Sequence, residues 1–476
     1  MENKPDYSQE LPDEILMMIF SYLEITDAIR VFNTDERFAR IMCDTKLKCM
    51  DINRRPLTIT HNIQVLYKTT RVLFNQMPES PLIRKMLPFV LRNRIVEASG
   101  LHLSKYPSII DAQELIISLK SFKSIPDILG LVGRLIINSC DDLIHVGKLE
   151  TTESMTMTSG AQNLISISDQ PNLRDLTINR CPKMSDFSNV HSLRRLHISK
   201  CDASKLLKLP PNLVELSLYD TKISKLVIPD SLKSLKISEC PRLSAIVPEN
   251  DNVNLDMLSI DSCPKLVDLL GILRNIRTLE WANNKFQKIF IHNLISSNLL
   301  DNLESLTIYR PNMEEINAIK TLKNLKLLKI LGSCAATALS GISNLDKLTI
   351  KNVPNLHKLT NLVNVKHVVL ENCDKLITLD NWVGVDTVFI SVCDAIQNYS
   401  VLSQVEDIRI EFNRGNQIAD FRSLWVRDKP IKKLVIRSNA SNHGAHKKLK
   451  ANLIARWGPD LVEWCGPKEN YYNIFQ

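Results

Sequence analysis

Between residues 172 and 376 one short phrase keeps returning: NLRDLTINRCPKM (172–184), SLKSLKISECPRL (231–243), NLDMLSIDSCPKL (254–266), NLDKLTIKNVPNL (344–356) and NVKHVVLENCDKL (364–376). Each reads L-x-x-L-x-I/L-x-x-C or a close variant. Taking the second leucine as marker gives Leu176, Leu196, Leu216, Leu235, Leu258, Leu279, Leu306, Leu328, Leu348, Val368, Val388 and Ile408, about 20 residues apart. A fixed short period dictates a stacked array, in which each unit buries its apolar face against its neighbours. Such arrays present a long surface to another macromolecule.

One copy shows the local physics. Leu176 and Ile178 alternate with Asp175, Thr177 and Asn179, so a short strand carries aliphatics on one face and polar groups on the other. Leu135 and Leu434 read as degenerate outer members. Irregular steps such as Leu279 to Leu306 mark insertions, which map to loops. About 20 residues leave no room for a full helix on the back of each unit, which is expected to be extended or 3₁₀.

Seven of the eleven cysteines (Cys140, Cys181, Cys201, Cys240, Cys263, Cys373 and Cys393) share one repeat position. No Cys-x-x-Cys pair and no histidine at ligand spacing accompanies them, so core packing is expected, with no metal site. An odd cysteine count, no secretory leader and buried placement point to a reducing compartment, cytoplasmic or nuclear. The repeat pattern resembles the leucine-rich repeat, whose consensus places Asn or Cys at that position.

The front of the chain differs: LPDEILMMIFSYLEITDAIRVFNTDERFARIMCD spans residues 11–44. Leu11-Pro12 followed by Asp13-Glu14 reads as a helix start, with acids at the positive end of the dipole. Ile15, Leu16, Ile19, Phe20 and Leu23 recur at helical spacing. This order resembles the F-box motif, with Leu11, Pro12, Glu14, Ile15, Leu16, Ile19, Tyr22, Leu23 and Asp27 in register. It departs from the family at Ala28, Thr34 and Phe38, where leucine, valine and tryptophan are usual.

The two resemblances together imply an α+β solenoid: a small N-terminal helical F-box-like domain (1–50), then a curved leucine-rich-repeat array with a parallel β-sheet on its concave face. A helical connector and cap is expected over 51–110, the array over 111–440, and a C-terminal cap and tail over 441–476, with a helix ended by Gly458-Pro459. The function implied is that of a substrate receptor in a Skp–cullin–F-box ubiquitin ligase. Leu11, Pro12, Ile15, Leu16, Ile19, Phe20 and Leu23 would contact the Skp-type adaptor, and the array would hold a protein substrate. A ligase-independent interaction scaffold and a protein inhibitor are the alternatives, and the F-box departures keep the first of them open.

Substrate contacts are expected on the polar strand positions: Asp175, Asn179, Arg195, His197, Tyr219, Tyr309, Phe389, Arg409 and Arg437, with Lys236, Asp261, Glu280, Lys351, Glu371 and Glu411 on the same alternation. Their mixed signs suit a protein partner rather than a phosphate backbone, which asks for a one-signed basic stripe. The net charge of +8 over 476 residues is mild. No phosphate loop, Gly-x-Ser-x-Gly or His-Glu-x-x-His element occurs, no apolar run approaches ~18 residues, and no catalytic group or cofactor is expected.

Overall fold

The computed structural model describes residues 11–20, 37–38, 41, 57–58, 71–74, 95–98, 112–118, 123–125, 127, 132–159, 161–201, 207–250, 253–282, 289–412, 430–438 and 451–465. The chain is a parallel β-solenoid divided into two compact units, residues 1–232 with 239–253 and residues 233–238 with 254–476.

In the first unit the strands Ala112–Ser118, Val132–Asn138, Ser154–Ser159, Asp175–Asn179, Arg195–Ser199 and Glu215–Tyr219 pair in parallel, each with the next. The register stacks like on like. Leu115, Leu135, Met155, Leu176, Leu196 and Leu216 form one buried column, and Ile117, Ile137, Met157, Ile178, Ile198 and Leu218 a second. Each fully buried aliphatic contributes roughly 1.5–3 kcal/mol. A one-residue slip would turn both columns to solvent, so the alternation itself fixes the register. Short strands on the back, Ser124–Ile125, His145–Val146 and Ser166–Ile167, pair among themselves, as do Lys225–Ile228 and Ala245–Pro248.

The second unit repeats the scheme through Ser234–Ser238, Met257–Asp261, Thr278–Ala282, Ser305–Tyr309, Leu327–Leu331, Ser343–Lys351, Val363–Glu371, Thr387–Ser391, Asp407–Phe412, Lys433–Ser438 and Val462–Cys465. Its back carries a three-stranded sheet, Ala338–Ser340, Lys358–Thr360 and Thr378–Asp380, and 3₁₀ turns at Leu270–Ile272 and Ser400–Gln404. The expectation of extended or 3₁₀ backs is met there. The long step from Leu279 to Leu306 holds a short helix, α2 (Ile291–Ser296), and the next coil carries α3 (Met313–Ile319). Asn312 and Glu315 close a capping box on α3, each satisfying the other's backbone N–H.

Two expectations of element type change. Within the expected helical connector over 51–110, the residues described are the strands Leu57–Thr58, Arg71–Phe74 and Ile95–Ala98. They pair in parallel and lead into Ala112–Ser118. Their runs RVLF and IVEA hold β-branched residues that fit a pleated surface, and interleaved bases elsewhere in the segment blur the period. At the other end, residues 451–457 are helical and stop at Gly458, whose φ of 85° only glycine adopts freely. The chain then adds another strand to the array, Leu434 facing Val462.

The turn leaving each long strand recurs with the period. Arg180, Lys200, Asp220, Glu239, Ser262, Arg310, Gly332, Asn352, Asn372 and Val392 all lie in the left-handed region, φ 48–79°. From seven of them, Arg180, Lys200, Arg310, Gly332, Asn352, Asn372 and Val392, the N–H reaches across to a carbonyl at the end of the next coil's strand, as from Arg180 to Ser199 (2.9 Å) and Asn372 to Ser391 (3.0 Å). A cysteine follows Arg180, Lys200, Glu239, Ser262, Asn372 and Val392. Its thiol donates back to the strand's final carbonyl, Cys201 to Ser199 (3.3 Å) and Cys263 to Asp261 (3.3 Å). The Cys181 N–H also meets the Cys201 sulfur at 3.4 Å, so the thiols stitch neighbouring coils from inside. Cys140, Cys181, Cys201, Cys240, Cys263, Cys334, Cys373 and Cys393 are all unbridged and buried. Burial, with Cys201 nearby, pushes the Cys181 thiol far above its ordinary pKa.

Candidate functional site

Three residues of every long strand point away from the core, so the sheet's outer face is a grid of three columns. In the first unit the leading column runs Asp175, Arg195, Glu215, the middle Thr177, His197, Ser217, and the trailing Asn179, Ser199, Tyr219. Asp175 and Arg195 are strand neighbours and form an ion pair. His197 is half-buried, and that burial lowers its pKa below 6.5. The Asn179 Oδ1 is enclosed and has no hydrogen-bond partner among the described residues.

In the second unit Phe389 and Arg409 sit side by side in the middle column, with Val369 before them and Val435 after. Charged pairs border this line. Lys351 meets Glu371 (2.8 Å), Arg437 meets Glu411 (3.1 Å), Ser391 donates to Glu411 (3.1 Å), and Arg409 meets Asp407 (3.3 Å). Tyr309 stands four strands from Phe389, in the trailing column, and is 41% exposed. Burial, then Glu280 and Asp261, raise its phenol pKa. The nine expected substrate positions thus form separate sets, Asp175 to Tyr219 in one unit and Tyr309 to Arg437 in the other.

Sequence reasoning missed a second ladder. Two residues before each marker from Leu279 to Leu434 stand Arg277, Glu304, Lys326, Asp346, Lys366, Asp386, Glu406 and Lys432. Stacked by the coils they alternate in sign up to Asp386, and Lys326–Glu304 (2.7 Å), Lys366–Asp346 (2.6 Å) and Lys432–Glu406 (2.5 Å) are ion pairs. Beside the ladder runs a groove of about 530 Å³ whose walls include Asn254, Asn275, Asn302, Asn324 and Asn344. Asn302 and Asn324 spend their amide N–H groups on the carbonyls of Arg274 (3.0 Å) and Asp301 (2.8 Å) one coil back. Glu304, Lys326, Asn302 and Asn324 are thus engaged within the array itself. Lys329, between Thr307 and Thr349 in the middle column, was also missed; its signal was the L-x-I alternation of Leu328 and Ile330.

The adaptor residues fall at the start of the chain. Helix α1 (Asp13–Phe20) begins after Leu11-Pro12 as expected. Arg37 clamps its N-terminus, donating to the Asp13 carboxylate (2.7 Å) and the Leu11 carbonyl. Leu16 is buried, while Ile15 and Ile19 are 40% and 42% exposed and Pro12 is exposed. Leu23, Tyr22, Asp27, Ala28 and Thr34 lie outside the described residues, as does the Phe20 side chain.

Among the described residues no group of three or more His, Cys, Asp or Glu is placed to hold a metal ion, and no helix is long and apolar enough to cross a membrane. No protein-family model and no curated protein matches the chain. Among solved structures, a TLR13–ssRNA13 complex aligns at 16% identity and TM-score 0.39, covering 84% of this chain and 65% of that one. CroV588, described as a novel circular LRR protein, aligns at 13% identity and TM-score 0.32, covering 78% of this chain and 72% of that one. The chain therefore spans just under two thirds of the first neighbour's length.

Proposed function

We propose that this chain is a binding scaffold that holds a protein partner on the outer face of its long sheet. The observation that carries the reading is the Phe389–Arg409 pair in the middle column of the second unit. Aromatic and arginine side chains supply most hot-spot energy, and here they are bordered by charges already satisfied within the sheet (Lys351–Glu371, Glu411–Arg437). A partner covering this line need not strand those charges, which keeps desolvation small. The test is capture of partners by the intact chain beside a Phe389→Ala/Arg409→Ala variant checked by circular dichroism. Partners retained by the folded double variant would count against this face.

The finer reading is the substrate receptor of a Skp–cullin–F-box ubiquitin ligase, working in the cytoplasm or nucleus. It is supported by the Leu11 to Leu23 resemblance and by the exposed Ile15 and Ile19 on α1, suited to helix-in-groove docking. The scaffold would then raise the concentration of substrate lysines near the conjugating enzyme, which is catalysis by proximity. Co-purification with a Skp-type adaptor, lost in a folded Leu11→Ala/Pro12→Ala/Ile15→Ala variant, would support it. No adaptor binding by the folded intact chain would leave the scaffold alone.

A further inference from the structure

The charges of the second unit fall into two populations. Six of the eight charges of the edge ladder, and the Lys351–Glu371 and Arg437–Glu411 pairs near Phe389, are paired in place. Three charges in the middle column of the earlier coils are not. Lys236, Glu280 and Lys329 make no hydrogen bond or ion pair with any described residue. Their strands are Ser234–Ser238, Thr278–Ala282 and Leu327–Leu331, with Met257–Asp261 and Ser305–Tyr309 between, so each charge stands two strands from the next. The order is plus, minus, plus. At roughly 4.8 Å per strand the charges repeat every ~9.6 Å. Between Glu280 and Lys329 the floor is Thr307, buried to 7% exposure. Exposed Tyr309 and Leu327 stand in the trailing and leading columns beside it.

We infer that this stretch of sheet takes an extended, polyproline-II peptide carrying acid-x-x-base-x-x-acid, laid across the strands. The inference rests on the outer face being the binding surface. A polyproline-II chain has three residues per turn and rises ~3.1 Å each, so every third side chain returns to one edge after ~9.3 Å. That step matches the two-strand repeat within about 0.3 Å. A β-strand ligand returns to the same face every ~6.6 Å and falls out of phase at once. A helix returns after seven residues, ~10.5 Å, and drifts by almost 2 Å over two steps. The peptide's acids meet Lys236 and Lys329, its base meets Glu280, and the two residues before the second acid lie over Thr307. Proline there packs on the Tyr309 ring and Leu327, the aromatic-lined recognition that polyproline-II ligands use elsewhere. Alternating sign also selects against a nucleic-acid backbone, which Glu280 repels.

The experiment uses the full chain, fluorescence anisotropy at low salt, and three labelled peptides of one composition class: EPPKPPE, its charge-reversed partner KPPEPPK, and EKEPPPP. The wild-type chain is expected to bind EPPKPPE about tenfold or more tighter than either of the others, with affinity falling as salt rises. Lys236→Glu/Glu280→Lys/Lys329→Glu is expected to invert the preference for the first two. Should that triple variant lose its circular dichroism spectrum, Lys329→Glu alone, at an exposed position, is expected to abolish the preference for EPPKPPE. Equal binding of all three peptides, or an unchanged order in a folded variant, overturns the inference. So does an oligonucleotide that outcompetes EPPKPPE and binds Glu280→Lys more tightly. Loss of partner capture by Phe389→Ala/Arg409→Ala with no peptide preference would leave the outer face standing as the binding surface and remove only the peptide.

Discussion

Asn372 donates from its side-chain amide to the side-chain Oδ1 of Asn352 at 2.8 Å, one coil away, and both backbones are left-handed at φ 54° and 58°. The next member of this column is Val392, held at φ 51°. A β-branched residue in this region is an outlier, because its Cβ crowds the backbone, whereas asparagine tolerates it. Val392→Asn should therefore relieve strain and extend the amide ladder by one rung. Equilibrium urea unfolding is expected to show stabilisation on the order of 1 kcal/mol. A loss of stability would mean that packing of the half-buried valine outweighs its backbone cost.

Other positions of the coil differ in how openly the sequence declares them. Leu176, Ile178 and Cys181 announce a strand, a buried face and a turn, because burial demands those residue types at a period of two. Phe389 and Arg409 were legible as outward-facing from the same alternation. Leu57–Thr58, Arg71–Phe74 and Ile95–Ala98 lack the phrase, and such short strands read equally as helix until their neighbours align them. Glu304, Lys326 and Lys329 each look like any solvated charge. Only the stacking of residues about 20 apart decides which are paired, as Glu304 and Lys326 are, and which, like Lys329, are not. The groups at Leu23 and Asp27 carry the F-box resemblance in sequence but lie outside the described residues.

The edge ladder behaves as a unit rather than as separate pairs. Lys366 bonds Asp346 and also feels Asp386 on its other side, both holding its ammonium charged. Lys366→Glu should lower the melting temperature, and most of the drop should vanish at 1 M salt, where the Debye length is ~3 Å. In an isolated pair, exchanging the charges by Asp346→Lys/Lys366→Glu would restore stability. Here it sets position 346 against Lys326 and position 366 against Asp386, so the double variant is expected to melt no higher than Lys366→Glu. Full rescue would show that the ladder is only a row of pairs.

The thiols supply a reading of array integrity. Cys140, Cys181, Cys201, Cys240, Cys263, Cys334, Cys373 and Cys393 are all buried, and burial pushes the Cys201 thiol up to about 11. A thiol that is enclosed and protonated is a poor nucleophile. At pH 8 a thiol-specific chromogenic reagent is expected to titrate at most the three cysteines outside this set of eight, and all eleven in denaturant. Fast labelling of a fourth in buffer would place a coil opening within the native state.

Acid should act on the first unit through His197. Burial holds its folded pKa below the ordinary 6.5, with Thr177 and Ser217 as its strand neighbours. The unfolded chain then binds the proton more readily than the folded one. The stability that depends on neutral His197 is fully present above pH 6.5 and is lost as pH falls from there through the folded value. Unfolding midpoints measured between pH 8 and 5 should decline more steeply for the wild type than for His197→Gln, with the two curves converging in slope above about pH 7. Parallel curves across the whole range would show that the ring is protonated in place at no cost to the fold.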